Sequence, residues 1–456
     1  MKIVIGGASD IGIHLAELFA KQHYDCTLMD TDEDSLAGID ADYDMMTLCG
    51  SPTSISRLEE AGAGGADLFV AVMTDESQNI IACIIAHSLG AKKTVARIEN
   101  YEYIDTKQKE FFANIGVDSL IYPELLVATD IVNGLKISWA RQRWDVLGGA
   151  LTLLEVKLHD ACRILDRPLR ELCGPDDPYT VVAIRRGNET IIPGGNDYLT
   201  NLDMVYIMTT DDNVAYIRQL VGKDNYDDVR NVIILGGGKS AERVALNMPP
   251  DISLKIIEKD QQRCEQLNDV LGEHDAMVIR ADGRDVSLLL EEGIKNTQGF
   301  VALTGNAEAN ILACLTARRL GVRKTIAMVE NLDYASMAES LDIGTIINKK
   351  TVVTNHIYEM MLGGKVSNMR SLTLVDSSVA ELTAAKGSPV TKKAVKDLGL
   401  PQGITLGGLV RDGKGMLIDG NTRIMAGDAV LVFSHEQEMR RIEKYFKGGF
   451  LGNIIQ

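Results

Sequence analysis

Two short stretches of this chain carry residue types at spacings suited to holding a dinucleotide. The first is Gly7-Ala8-Ser9-Asp10-Ile11-Gly12, a G-x-G-x-x-G turn whose second glycine is replaced, with Asp30 closing the apolar run Cys26-Thr27-Leu28-Met29. Glycines in such a turn supply a tight bend, close approach of backbone to pyrophosphate, and helix-to-strand packing, while the helix N-terminus attracts phosphate. Ser9 adds a Cβ where the pyrophosphate lies closest. Asp30 is placed to accept from the adenosine ribose hydroxyls, and its charge repels a 2′-phosphate, which favours NAD over NADP. A vestigial, purely structural turn is the competing reading.

The second stretch is Gly236-Gly237-Gly238-Lys239-Ser240-Ala241. Its Gly-Lys-Ser invites comparison with a Walker A loop, but that motif needs a glycine five residues before Gly238, and position 233 is Ile. Read as G-x-G-x-x-A it is a sound dinucleotide turn, with Glu258 as the ribose acid. Lys239 then lies beside the phosphates, a solvated lysine at a helix start being the alternative. Aligned positions four residues into each turn reverse charge, Asp10 against Lys239. A unit charge roughly 4 to 6 Å from a phosphate is worth about 3 to 4 kcal/mol at an effective dielectric near 20. That argues for NAD(H) or nothing at the first turn and ATP or ADP at the second. Two more loops, Thr74-Asp75-Glu76-Ser77 and Thr304-Gly305-Asn306-Ala307, follow later strands, and both begin with Thr. Arg97 could reach phosphates from the next strand, or be a plain surface arginine; its counterpart is Met328.

No catalytic constellation accompanies the turns. The seven histidines, His14, His23, His87, His159, His274, His356 and His435, have no carboxylate, Ser or Cys partner suggested by spacing. The seven cysteines form no C-x-x-C pair and no metal-ligand pattern, and read as reduced thiols.

The elements that must position these residues repeat. Residues 79–103 laid over 310–334 give 13 identities in 25 ungapped positions, and Gly7 with Gly236, Asp30 with Glu258, and Asn79 with Asn310 keep offsets of 229, 228 and 231. Duplication is the simplest account. Each half opens with a short apolar strand, the glycine turn, an amphipathic helix and a second strand closed by an acid, the βαβ opening of a Rossmann unit. Further strands are expected at Leu68 to Met73, Thr94 to Ile98, Phe300 to Leu303 and Thr325 to Val329, giving a parallel sheet covered on both faces. A helix then runs to about Ser138, and its counterpart from Lys349 to about Leu362. Their apolar faces exceed what one unit needs, which predicts at least a dimer. Strand-rich segments with similar tails follow each helix.

The fold class expected is therefore α/β, two tandem Rossmann-like parallel-sheet units, each followed by a small α+β lobe. The division is 1–120, a connecting helix over 121–147, a lobe over 148–222, a second unit over 229–348, a connecting helix over 349–366, and a lobe over 367–446. At 456 residues there is chain enough for several cores. A net charge of -17 argues against a phosphate-backbone footprint, and hence against nucleic acid. No charged leader with an apolar core and cleavage site opens the sequence, and no apolar run reaches the roughly 18 residues of a bilayer span. A cytosolic protein is expected, with any membrane attachment made through a partner.

The doubled turn-plus-acid units, the stretches Ala66 to Thr74 and Gly299 to Thr304 leading into Asn79 and Asn310, and the paired C-terminal lobes together resemble the TrkA family. In that family two RCK, or KTN, units are fused in one chain, and the resemblance covers nearly the whole length. It implies NAD(H), ATP or ADP in the nucleotide units, assembly into a homo-oligomeric dimer or tetramer ring, and docking beneath a membrane potassium channel of the TrkH type. No catalysis is implied; ligands would act by linkage. An NAD-dependent oxidoreductase with two Rossmann domains and a free-standing nucleotide sensor are the other readings. The chain departs from the family at Ser9, Met328 and Cys49-Gly50-Ser51.

Overall fold

The computed structural model describes residues 1–447 except 38, 40–42, 44, 175–176, 188, 273, 332–333, 336, 339–340 and 363–376. Two six-stranded, all-parallel sheets have the same order. In the first it is Met46–Cys49, Asp25–Asp30, Lys2–Gly6, Leu68–Ala71, Thr94–Arg97, Ser119–Ile121. In the second it is Ala276–Arg280, Ser253–Glu258, Asn231–Leu235, Gly299–Ala302, Lys324–Met328, Thr345–Ile347. The order reverses beside the opening strand of each unit, and the glycine turn follows that strand at the switch point where open α/β sheets bind ligands.

Alternation along each strand divides the side chains between two cores. In the first sheet Val4, Phe69, Ala71 and Ala96 pack on Ala82, Cys83 and Ala86 of helix Glu76–Leu89. Ile3, Ile5, Leu68, Val70 and Val95 face the other way, onto Leu15 and Phe19 of helix Asp10–Lys21. That second face is completed by Val353, Ile357, Tyr358 and Met361, which belong to helix Lys349–Leu362 of the other half. The exchange is reciprocal. Val127, Ala128, Ile131, Val132 and Leu135 of helix Pro123–Leu135 lie on Val232, Ile234, Leu254, Val301 and Ile326 of the second sheet. Glu124 and Lys349, near the starts of the two helices, pair at 3.3 Å. The apolar faces that led the sequence reading to expect a dimer are thus covered within one chain.

Helix Pro123–Leu135 stops short of Ser138. Residues Gln142–Val146, assigned by sequence to the connecting segment, form the edge strand of the first lobe. The start of the second lobe and the end of its connecting helix, residues 363–376, lie outside the described residues. Otherwise the lobes match. A hairpin (Tyr179–Arg186 with Glu189–Ile191; Ile404–Arg411 with Lys414–Leu417) flanks a central strand (Met204–Thr209; Ala429–His435), which pairs with Leu151–Lys157 or Ser377–Thr383. Each carries a two-bond ion pair at the same position, Arg186 to Asp203 (2.9 and 2.8 Å) and Arg411 to Asp428 (2.9 and 2.6 Å). Burial opposes the charge of Asp203, but the Arg186 fork and the Thr200 bonds win and hold its carboxyl below the usual range. The lobes pack face to face through Leu153, Val182, Met204 and Met208 on Val379, Leu431 and Phe433.

A buried lysine fastens the first lobe to the second unit. Lys324 Nζ donates to the carbonyl oxygens of Ala140 and Arg141, both at 2.7 Å, and to Thr345 Oγ1 at 3.4 Å. Nearby, Asp342 accepts from both Arg141 and Arg318. Burial, reinforced by repulsion from Arg141, pushes the Lys324 ammonium down to about 7. In the unfolded chain lysine keeps its proton to about pH 10.4. Between about pH 7 and 10 the unfolded chain therefore binds more protons, so this group adds stability as pH rises through that window, and its penalty is complete below it. Lys324→Met should make the slope of unfolding free energy against pH, measured by denaturant titration from pH 7 to 10, less positive than in the wild type. An unchanged slope would mean that Lys324 stays charged in the fold.

Candidate functional site

Each glycine turn is built by its own sheet. Gly7 (φ +114°) and Gly236 (φ +96°) adopt the left-handed region that disfavours a side chain. A Cβ on Gly7 would lie 2.7 Å from the Met73 amide nitrogen, and one on Gly236 would lie 3.0 Å from that of Thr304. Gly12 sits where a Cβ would strike the Gly7 carbonyl oxygen at 2.0 Å, whereas the same place in the second turn accommodates the Cβ of buried Ala241. These positions are demanded by the chain itself.

The acids Asp30 and Glu258 end the second strands and fasten the turns. Asp30 Oδ2 accepts from the Ala8 amide at 2.6 Å, and its Oδ1 from the Asp32 amide at 3.0 Å. Glu258 Oε2 accepts from the Gly237 amide at 2.7 Å, and its Oε1 from the Asp260 amide at 2.9 Å. One carboxylate oxygen thus holds the turn and the other the loop beyond the strand. Asp30 Oδ1 also accepts from the Thr31 hydroxyl at 3.4 Å, whereas the oxygen on the turn amide, Asp30 Oδ2 or Glu258 Oε2, retains a lone pair for a further donor.

At the third position of the turn the halves differ. Ser9 (φ -66°, ψ 164°) caps helix Asp10–Lys21, its hydroxyl accepting from the Gly12 amide at 3.3 Å and donating to the Val72 carbonyl at 2.7 Å. Gly238 (φ -64°, ψ 179°) takes nearly the same backbone conformation, and a Cβ there would meet nothing within 4 Å. Neither backbone nor packing requires this glycine. Helix Lys239–Leu246 has no side chain on its first amides, and Ser240 and Ala241 are buried behind it. Ile11 is likewise buried, as part of the first core.

The charged residues at the helix starts are each answered from the other half. Asp10 pairs with Lys350 at 2.8 Å, and Lys239 with Glu99 at 3.2 Å. The side chains are 73% and 56% exposed, so neither pair is locked in place. The charge reversal read from the sequence is real, but each charge arrives with a counter-charge that the local sequence does not contain. Arg97, 18% exposed, donates to the Met73 carbonyl at 3.2 Å and to Glu99 Oε1 at 2.9 Å. It therefore borders the first turn through Met73.

Two clamps position the adjacent strand ends. Asn79, at 1% exposure, accepts from the Met73 amide (2.8 Å) and donates to the carbonyls of Met73 (3.0 Å) and Arg97 (2.9 Å). Asn310, fully buried, makes the same bonds to Thr304 and Met328 at 2.9 to 3.0 Å and also accepts from the Thr304 hydroxyl at 2.6 Å. These contacts set the equivalence. Thr304 matches Met73, and Thr74 matches Gly305, so the pairing of Thr74 with Thr304 fails by one residue. Thr74 is exposed just past the clamp.

Sequence reasoning missed a cluster at the second turn. Arg263 Nε donates to the Gly237 carbonyl at 2.6 Å, and its Nη2 to Glu242 at 2.8 Å. Glu242 also accepts from Arg243, whose guanidinium lies 4.2 Å from the ring centroid of Tyr101 in the first half. Burial works against the Glu242 charge, yet the Arg263 and Arg243 bonds keep its carboxyl below the usual range. The available signal was a cation five residues past Glu258, where the first half has Ser35 past Asp30.

With the geometry in place, likeness to known proteins can be set beside it. The TrkA-N domain family model matches residues 3–123 and again 232–349, more than half the chain, and the TrkA-C domain model matches residues 379–447. The chain is 27% identical over 455 residues to the Trk system potassium uptake protein TrkA of Azorhizobium caulinodans, covering 98% of this chain and 99% of that protein. It is 29% identical over 456 residues to the protein of the same name in Halomonas elongata, with 98% and 99% covered. Among solved structures it is similar to the GsuK RCK domain (TM-score 0.59, 14% identity, 98% of this chain and 94% of that one) and to the GsuK channel bound to NAD (TM-score 0.59, 14% identity, 98% and 78%). At that identity the likeness is one of fold, and it agrees with the tandem Rossmann-like architecture.

The clamps yield an expectation independent of any ligand. Asn79→Ala and Asn310→Ala each strand buried backbone groups, and each should lower unfolding free energy by about 2 to 4 kcal/mol in denaturant titration. A loss under about 0.5 kcal/mol would mean that the strand ends hold their position without the amide.

Proposed function

The chain belongs to the TrkA-N domain family, and from that premise we propose that it is the nucleotide-sensing regulatory subunit of a potassium uptake system, acting by linkage and not by catalysis. The observation that carries the reading is Gly238. A glycine that neither conformation nor packing calls for, at the start of a helix with no side-chain cap, next to an acid-fastened turn, is what a phosphate-bearing ligand needs: close approach to bare amides. In support, the relatives are named potassium uptake proteins, and a channel sharing the fold was solved with NAD.

On this reading Asp30 and Glu258 accept from ribose hydroxyls with the lone pairs their turn amides leave free. Gly7, Ile11 and Gly12 shape the first turn, and Gly236, Ser240 and Ala241 the second. The first turn, with a Cβ and a cap at Ser9 and Arg97 beside Met73, takes NAD(H), whose linked phosphates carry less charge. The second, with open amides and Lys239 held only by an exposed pair, takes ATP or ADP. Thr74 and Thr304 border the ligands at different positions. A ligand shifts the assembly only by its differential affinity for two shapes. The partner is a TrkH-type membrane channel, contacted from the cytoplasmic face; no helix among the described residues is long and apolar enough to cross a membrane.

A ring needs a surface other than the covered connecting helices. Ile81 (48% exposed) and Leu312 (63%) occupy equivalent outer positions on helices Glu76–Leu89 and Ala307–Arg319, and Phe111 (57%) is exposed on helix Thr106–Asn114 of the first unit. Ile81→Glu combined with Leu312→Glu should lower the mass measured by light scattering at micromolar concentration, with circular dichroism unchanged. An unaltered oligomer would place the interface elsewhere.

The reading as a whole is tested by potassium flux through the channel in vesicles with the full-length chain bound. Flux should change on adding NADH or ATP, and flux indifferent to every nucleotide would overturn it. Asp30→Asn and Glu258→Gln keep the shape and an acceptor oxygen while removing charge. Each should weaken the adenosine ligand at its own turn by about 1.5 to 3 kcal/mol in isothermal titration.

A further inference from the structure

Glu99 receives one cation from each nucleotide turn. Its Oε1 accepts from Arg97 Nη2 at 2.9 Å, and its Oε2 from Lys239 Nζ at 3.2 Å. Arg97 is tied to the Met73 carbonyl, and Met73 is the residue against which Gly7 closes. Lys239 is the first residue of the helix that opens at the second turn. The backbone that carries this carboxylate is held in place: the amides of Glu99 and Asn100 both donate to Glu76 Oε2, at 2.7 and 2.8 Å. Glu76 in turn sits in the first turn of helix Glu76–Leu89, whose cap is Asp75. An anion on an anchored backbone therefore stands between two cations, each beside a different turn and in a different half of the chain.

We propose that Glu99 is a positioning residue that couples the two turns, so that an anionic nucleotide at one weakens the binding of an anionic nucleotide at the other. The inference rests on both turns taking nucleotides. A phosphate at the second turn draws Lys239 from Glu99, and Glu99 then holds Arg97 alone. Arg97 is correspondingly less available to a phosphate at the first turn. The reverse sequence gives the same sign, as reciprocity of binding requires. Glu99 is 42% exposed and Lys239 56%, so the coupling has the size of a solvent-screened pair. That corresponds to a change in affinity of about two- to fivefold, shrinking as salt is raised.

The buried neighbours favour exchange at Glu99 over rearrangement elsewhere. Arg97 Nε is buried without a hydrogen-bond partner, so the guanidinium is held by its Nη1 and Nη2 contacts. Withdrawal of either partner changes its position or its charge environment. Arg243, one turn of helix beyond Lys239, is already committed to Glu242 and to the Tyr101 ring and offers Glu99 no substitute.

The test uses the full-length chain, with NADH and ADP as probes. Titrations of Asp30→Asn and Glu258→Gln first assign each probe to its turn. In the wild type, saturating one turn should raise the dissociation constant at the other about two- to fivefold. In Glu99→Gln each ligand alone should bind as tightly as before or more tightly, and the factor should fall to near one. Lys239→Gln should also abolish the factor, but with weaker second-turn binding. A wild-type factor of one, a factor undiminished in Glu99→Gln, or competition without a ceiling, which marks a single shared turn, would each overturn the proposal. Binding of neither probe to the wild type would bring down the nucleotide reading beneath it too, and so is distinguishable from failure of the coupling alone.

Discussion

Everything in this molecule depends on the exchange of two helices. A parallel sheet buries both faces, and each of these sheets has one face only partly covered by its own unit. Helix Pro123–Leu135 completes the second sheet, and helix Lys349–Leu362 completes the first. A fully buried Leu, Ile, Val or Met contributes about 1.5 to 3 kcal/mol. Ile131 and Leu135 on one side, with Val353 and Ile357 on the other, are fully buried, so separating the halves would cost about 6 to 12 kcal/mol for these four alone, comparable to a small domain's whole net stability. The halves are not independent bodies, and nucleotide affinities measured on one half alone would describe a sheet stripped of its cover. The same exchange puts Lys350 on Asp10 and brings the loop carrying Glu99 and Tyr101 onto the second turn.

Within the duplicated frame, the two halves agree where the backbone dictates and differ where a ligand would lie. The asparagine clamps, the acid-to-turn bonds, the left-handed glycines and the lobe ion pairs recur with the same partners. The differences gather at the switch point: Ser9 against Gly238, Arg97 against Met328, Met73 against Thr304, Ser35 against Arg263. A clamp that fixes the strand ends regardless of ligand leaves the rim free to diverge, which is what the proposal of two different ligands on one scaffold requires.

How much of this was legible in the sequence follows from the range of each interaction. The glycine turns, the closing acids and the central strands are local, and apolar runs and turn chemistry reveal them. The half-exposed strands Met46–Cys49 and Ala276–Arg280 went unread, because edge strands lack the continuous apolar run of a buried one. Gln142–Val146 was assigned to the connecting helix segment because a chain leaving a helix carries no mark of where the next sheet begins. The connecting helices were recognised as too apolar for one unit, and the inference that followed, a second copy, was one of two possible covers; the sequence had already supplied the other in its own repeat. Thr74 and Thr304 were matched by identity, whereas the asparagine hydrogen bonds show that position relative to the clamp is what counts.

The charge at the two helix starts shows most clearly what a local reading leaves out. Asp10 and Lys239 have opposite signs at equivalent helix starts, and taken alone they imply a difference of several kcal/mol between the turns. Each is met by a counter-charge from the opposite half, 340 residues away for Asp10 and 140 for Lys239. A carboxylate or ammonium neutralised at about 3 Å presents a dipole to a ligand, whose field falls off faster than that of a charge. Both pairs are largely solvated, where ion pairs are worth about 0.2 to 1 kcal/mol. A phosphate seated on open helix amides exceeds that and can take the lysine away. Such pairs are too weak to block a ligand and strong enough to report its arrival to the half that supplied the counter-charge, a balance that suits the sensing role proposed for the chain.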